Sequence, residues 1–247
     1  MADTDKKNSA TGIRWNLQDL YLGIDDPAIE KDLGCCKTAC EAFEKQYRGQ
    51  IKSGVATPAL LKQALVELEK ILETLSKLGS YVGLLAAVDN LNSDYRKLED
   101  RIDQLGVEIQ NRLTFFDLEW LELDETAAEK FASDPGLAQY SHYLRSSRRY
   151  KPYTLSEPEE LILNQKSLTA RTAWVNLFDE FLASLKYEFE YNGEKKTLTQ
   201  PALLSLVYDA DRNKRRAAQE CLYAELSRHE LILTNIFNNL AQDHGLF

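Results

Sequence analysis

No uninterrupted apolar run approaches the roughly 18–20 residues that span a bilayer, which argues against a membrane partner. The opening residues, MADTDKKNSATG, lack the apolar stretch of a secretory leader, so the expected compartment is the cytoplasm. Glycine and proline are scarce, 11 and 6 in 247 residues, which excludes a low-complexity or loop-dominated chain. Cysteine numbers only four, three of them bunched at Cys35, Cys36 and Cys40, and that is no disulfide framework. Positive charge is in deficit: 30 Lys and Arg face 39 Asp and Glu. The resulting −9 argues against a protein that grips a nucleic-acid backbone. A glycine-rich phosphate loop and a G-x-S-x-G elbow are both missing from the sequence. What is present is a 44% hydrophobic content, enough to bury a substantial core in one large or two small domains.

Its patterning is helical. Asp26-Pro27 supplies an N-cap and a first-turn proline for a helix from Pro27 to about Arg48, stopping near Gly49 and Gly54. Thr57-Pro58 starts the most regular stretch, where Leu61, Leu65, Leu68, Leu72, Leu75, Gly79, Val82 and Ala86 recur at alternating steps of four and three. After a short turn at Asp89–Ser93, a second seam follows as Leu98, Ile102, Leu105, Ile109, Leu113, Phe116 and Trp120. Two long seamed helices joined by so short a turn predict an antiparallel hairpin, with Leu68, Leu72 and Leu75 facing Leu98–Leu113. Shorter helices are expected over 124–133 and 136–148. Ser156-Glu-Pro-Glu159 matches a capping box and opens a helix to about Leu185. Lys186–Tyr191 alternates, Asn192-Gly193 provides a type I′ turn, and Glu194–Leu198 returns, giving one small β-hairpin over 186–198. A short helix after Pro201 and a last one over 211–242 complete a mainly α fold: a long helical hairpin and a helical bundle with that hairpin attached.

Candidate chemistry is thin. A zinc helix of the H-E-x-x-H kind needs a second imidazole one turn after the first, and in His229-Glu230-Leu231-Ile232-Leu233 that position is leucine. His229 is expected instead as a half-buried, hydrogen-bonded core residue, and His142 and His244 are too scattered to join it. Cys36 and Cys40 share a helix face, but with Cys221 remote and no further ligand nearby they should pack as small hydrophobes. Arg145, Arg148, Arg149 and Lys151, interleaved with Tyr150 and Tyr153, make the best basic-aromatic patch; a solvated helix end before Pro152 explains it more simply. Arg212, Lys214, Arg215 and Arg216 open a helix, where Asp209 and Asp211 stand ready to cap and pair. No catalytic, cofactor-binding or metal-ligating residue can be named from these patterns.

Three stretches nevertheless resemble a known family. They are Trp15-Asn-Leu-Gln-Asp-Leu-Tyr21, Thr114-Phe-Phe-Asp-Leu-Glu-Trp120, and Arg149-Tyr-Lys-Pro-Tyr-Thr-Leu-Ser-Glu-Pro-Glu-Glu-Leu-Ile-Leu163. The last continues into Lys166–Thr169, Ala173–Glu180, the hairpin, and Asp211–Ala217. In order and spacing they are similar to the amino-terminal half of oligoendopeptidase F, in the thimet oligopeptidase-like zinc metallopeptidases. The resemblance implies a mostly helical, two-lobed enzyme that cleaves short peptides in a channel between lobes. Its zinc would be held by an H-E-x-x-H helix and a further glutamate of the carboxyl-terminal half, with the motif glutamate as general base. None of those residues has a counterpart here. The expected organisation is a disordered tail over 1–12, a helical region with the long hairpin over 13–123, and a helical region with the β-hairpin over 124–247 that continues into a catalytic domain outside this sequence. By itself the chain should be inactive and hold no zinc. Its partners would be the carboxyl-terminal half and, in the whole enzyme, a short peptide. Leu233, Ile236, Phe237 and Leu240 should then show apolar surface with few partners. A different class of function, a stand-alone helical scaffold that binds a partner, uses the same hairpin.

Overall fold

The computed structural model describes residues 15–52 and 56–245, so the tail expected over 1–12 and the stop at Gly54 lie outside the described residues. Helix α1 (Pro27–Tyr47) begins as its sequence dictates, with the Asp26 carboxylate accepting the Ala28 N–H at 2.9 Å. It buries Ile29, Leu33, Cys36, Cys40, Phe43 and Tyr47 on one stripe, and the chain turns away through Gly49 at φ +80°. Helices α2 (Pro58–Val88) and α3 (Ser93–Glu122) are capped by Thr57 and Asn92, and the two pack on each other and on α1.

The hairpin is as expected in α3, where all seven seam residues from Leu98 to Trp120 are buried. In α2 the seam is displaced. Ile71, Leu78 and Leu85 are buried where Leu72, Gly79 and Ala86 were expected, Leu75 is half-buried, and Leu72 is 42% exposed. The reason is rotational. A step of three between Leu68 and Ile71, rather than four to Leu72, keeps the stripe aimed at both α1 and α3, and leucine at 72 supplied a false continuation. By length and composition alone α2 is apolar enough to cross a membrane, although charged residues interrupt it, and nine of its side chains are buried in this core.

Beyond α3, the helix α4 (Glu125–Ala132) forms as expected over 124–133, while a 3₁₀ turn (Pro135–Tyr140), the helix α5 (Ser141–Ser147) and a second 3₁₀ turn (Arg148–Tyr153) replace the plain helix expected over 136–148. Ala128, Ala132, Leu137, Tyr140 and Leu144 join the same core as α1–α3. The Trp120 indole N–H fixes the junction, donating to the Leu144 carbonyl and the Ser147 hydroxyl, each at 3.2 Å.

Helix α6 (Glu157–Ser167) opens with the expected capping box, the Ser156 N–H donating to Glu159 at 2.9 Å. It does not run on to Leu185. A π turn (Leu168–Thr172) interrupts it, with Ala170 at φ −99° and ψ −108°, before α7 (Ala173–Ser184) resumes. Just before the break the Ser167 hydroxyl donates to the Asn164 carbonyl at 2.7 Å.

The β-hairpin forms as read, β1 (Tyr187–Tyr191) pairing β2 (Glu194–Leu198) from Tyr187 opposite Leu198 to Tyr191 opposite Glu194. Its turn residues Asn192 and Gly193 take φ +52° and +79°. Helix α8 (Gln200–Leu206) leads to α9 (Arg212–Arg228) and α10 (Glu230–Gly245), so the single helix expected over 211–242 is broken at His229. The break lets α9 pack on β1 while α10 lies against α7 and the π turn. Leu185, Tyr187, Phe189, Leu203 and Ala218 form a second core that shares no buried residue with the first.

Candidate functional site

Several of the groups singled out by sequence are brought into local pairings. His229 caps α9, half-buried, with Nε2 3.2 Å from Glu225 and its ring edge-on to Phe181 at 5.1 Å, as expected of a packed histidine. Cys36 and Cys40 are buried against the carbonyls of Ile71 and Ile109, while Cys35 is exposed. Burial pushes both buried thiols up to about 11, the opposite of the electropositive setting that activates a thiolate.

The basic-aromatic patch is likewise absorbed into structure. Arg145 bonds Glu129 at 2.6 Å and 3.0 Å, and this pairing, with the Ser133 hydroxyl, lowers the Glu129 carboxyl to about 2. Arg148 donates to the carbonyls of Trp120 and Leu123, each at 2.8 Å, closing the end of α3, and Lys151 donates to the same Leu123 carbonyl at 3.1 Å. Tyr150 and Tyr153 point to solvent rather than to these cations. In the second cluster Lys214 pairs with Asp209 at 2.7 Å and Arg215 donates to the Asp209 carbonyl at 2.7 Å. Asp211 caps α9 through the Asn213 N–H at 2.8 Å.

Sequence reasoning missed one buried carboxylate. Glu119, on the core side of α3, accepts the N–H groups of Gly49 at 2.6 Å, Ile51 at 3.1 Å and Lys52 at 3.3 Å. It therefore supplies the acceptors that the turn after α1 lacks, a structural task, and its only sequence signal is an acidic residue inside an apolar seam. A concavity of about 470 Å³ opens beside it, where Arg48 is already matched by Glu157 at 2.7 Å and Glu44 at 2.9 Å. Among the described residues no group of three or more histidine, cysteine or carboxylate side chains is arranged to hold a metal ion.

What remains unmatched is a surface. Helices α6 and α7 bury no residue fully, and α10 buries only Ile236. Across this layer Ile162, Leu177 and Phe237 are exposed, Phe237 by 56%, although Phe178 meets it edge-on at 5.6 Å. Leu163, Trp174, Leu233 and Leu240 are half-covered. The expected scarcity of partners around α10 thus holds for Phe237 and fails for Ile236.

Residues 119–187, from the end of α3 through α7, match the family profile described as oligopeptidase F. Over 222 residues the chain is 24% identical to oligopeptidase PepF of Bacillus subtilis, covering 87% of this chain and 32% of that protein. The chain is similar to oligopeptidase F over most of its length. It is also 24% identical over 233 residues to an oligoendopeptidase F homolog of Borreliella burgdorferi, covering 94% of this chain and 38% of that one. The fold agrees: the crystal structure of oligoendopeptidase-F from Enterococcus faecium superposes with a TM-score of 0.75 at 19% identity, over 88% of this chain and 43% of that chain. The present chain therefore spans about a third of the length of its oligopeptidase F relatives. The family match takes in α6 and α7, the helices of the layer with the least complete packing.

Proposed function

We propose that this chain is the non-catalytic amino-terminal lobe of a cytoplasmic, zinc-dependent oligoendopeptidase, supplying one wall of the channel in which the whole enzyme cleaves short peptides. The carrying observation is the half-covered α6–α7–α10 layer, in a chain that spans about a third of relatives named as oligopeptidases. Apolar side chains left half-covered across three adjacent helices fit a face that docks further polypeptide of the same enzyme. Zinc does not fit the residues at hand. His229 has leucine where a second ligand would stand, and Cys36 and Cys40 are buried as packing groups, so the metal and the general base belong to the docked part.

The test is to read the coding sequence downstream of Phe247 and to assay both products on a quenched fluorescent peptide of eight to ten residues (about the length of a short oligopeptide). The expected result is an in-frame H-E-x-x-H, peptide hydrolysis by the longer product that a chelator abolishes, and no hydrolysis by residues 1–247. Leu177→Glu and Phe237→Glu in the longer product should lower activity by weakening the docked face. Absence of any such continuation, or a longer product without peptidase activity, overturns the proposal.

A further inference from the structure

At the turn end of the α2–α3 hairpin, remote in sequence from the α6–α7–α10 layer, lies a concavity of about 510 Å³. That volume is within the range of roughly 300–1,000 Å³ typical of sites for small organic ligands. Its walls include Trp15, Tyr21, Leu22, Tyr81, Val88 and Tyr95, and none of its lining residues carries a charge. In a chain where 28% of residues are charged, this lining is chemically distinct from the surface around it. The wall is also preorganised. Tyr21 and Tyr81 are locked edge-to-face at 5.0 Å, and the Tyr21 hydroxyl is already committed to Asp32 at 2.7 Å. The nearby ammonium of Lys77 sits 4.1 Å from the Tyr21 ring centre and is held by Asp32 at 3.0 Å, so it is not free to neutralise an anion in the cavity. At the mouth, Trp15, Leu22 and Val88 are exposed, Val88 by 62%, so apolar surface is presented without any rearrangement.

We propose that this concavity binds an uncharged small aromatic molecule, its ring laid against the tyrosine wall and covered from the mouth by Trp15 and Val88. Neutrality decides the class. A charged ligand would lose its hydration on entry and find no opposite charge among the lining residues, whereas a neutral ring gains edge and face contacts with rings already fixed in place. The amides of Asn16 and Gln18 at the rim can serve one polar substituent.

The test is calorimetric titration of residues 1–247 with indole, and with its anionic and cationic analogues indole-3-acetate and tryptamine. Indole should bind saturably, and each charged analogue should bind at least about tenfold more weakly. Val88→Glu places a carboxylate at the mouth on an exposed position, so the melting temperature should stay unchanged while indole affinity drops by at least about tenfold. Leu231→Glu, still more open to solvent but on α10, should leave indole binding as it was. Absence of saturable indole binding, equal binding of the charged analogues, or an unaffected Val88→Glu protein overturns the proposal. So does a blocked tripeptide with central tryptophan that binds at least about tenfold more tightly than indole, which would give the cavity to a partner's side chain.

Discussion

The Glu119 carboxylate and the two buried thiols show how much a single side chain can hold. Glu119 satisfies three backbone donors from a turn nearly 70 residues away. Replacing it by glutamine keeps one acceptor oxygen but turns an amide N–H₂ toward those donors. Hydrogen bonds to a charged group contribute about 1.5–3 kcal/mol, so Glu119→Gln should lower unfolding free energy by about that amount, read from the urea midpoint. An unchanged midpoint would show that water already serves the turn. The thiols make a pH-dependent statement. Burial raises Cys36 and Cys40 from 9.0 to about 11, so the fold favours their protonated forms. Their contribution to stability is complete below 9.0 and is lost as pH climbs from there through about 11. In the native protein at neutral pH a thiol reagent should modify exposed Cys35 and leave Cys36 and Cys40 untouched until denaturant is added. Rapid native labelling of Cys40 would contradict this.

Among the elements, α2 separates what its sequence displays from what its neighbours decide. Ile71 is 3% exposed and Leu72 is 42% exposed. Truncating Ile71 to alanine should therefore cost about 2–5 kcal/mol, and truncating Leu72 well under that, by denaturant or thermal unfolding. Equal losses would restore the seam through Leu72. The caps at Asp26, Thr57 and Asp211, the Ser156 capping box and the Asn192-Gly193 turn were all legible because each is closed by residues within four positions of one another. The α2 rotation and the breaks at Ala170 and His229 were not legible. Each depends on which distant helix must be met, and a periodic pattern continues across all three without a signal. The candidate site divides the same way. The sequence reading of His229, Cys36 and Cys40 as packed side chains matches their burial, but the half-covered layer and the neutral concavity are products of packing.

The whole molecule holds two cores rather than one, and they should differ in resistance. The first gathers buried side chains from six helices and turns, while the second has five fully buried members and a two-stranded hairpin at its centre. Trp120 sits inside the first, 2% exposed, and Trp174 lies half-covered on α7. In single-tryptophan variants, the Trp174 signal should change at lower urea concentration than the Trp120 signal, so that unfolding is not two-state. Coincident transitions would mean that the α3–α6 contact and the Arg96–Glu180 ion pair couple the cores into one unit.

The two cores are also consecutive along the chain, and that gives them an order in time. Every buried member of the first lies between Tyr21 and Leu144, and every buried member of the second between Leu185 and Ala218. At about 5–20 residues per second, a ribosome needs several seconds to pass from the last residue of one set to the last of the other. Helical packing with mostly local contacts forms in microseconds to milliseconds. The nascent chain thus has ample time to complete the hairpin core while the β-hairpin is still unmade. Ribosome-bound chains halted near residue 180 should already protect α1–α3 from protease, so the half-covered layer is assembled onto a finished platform.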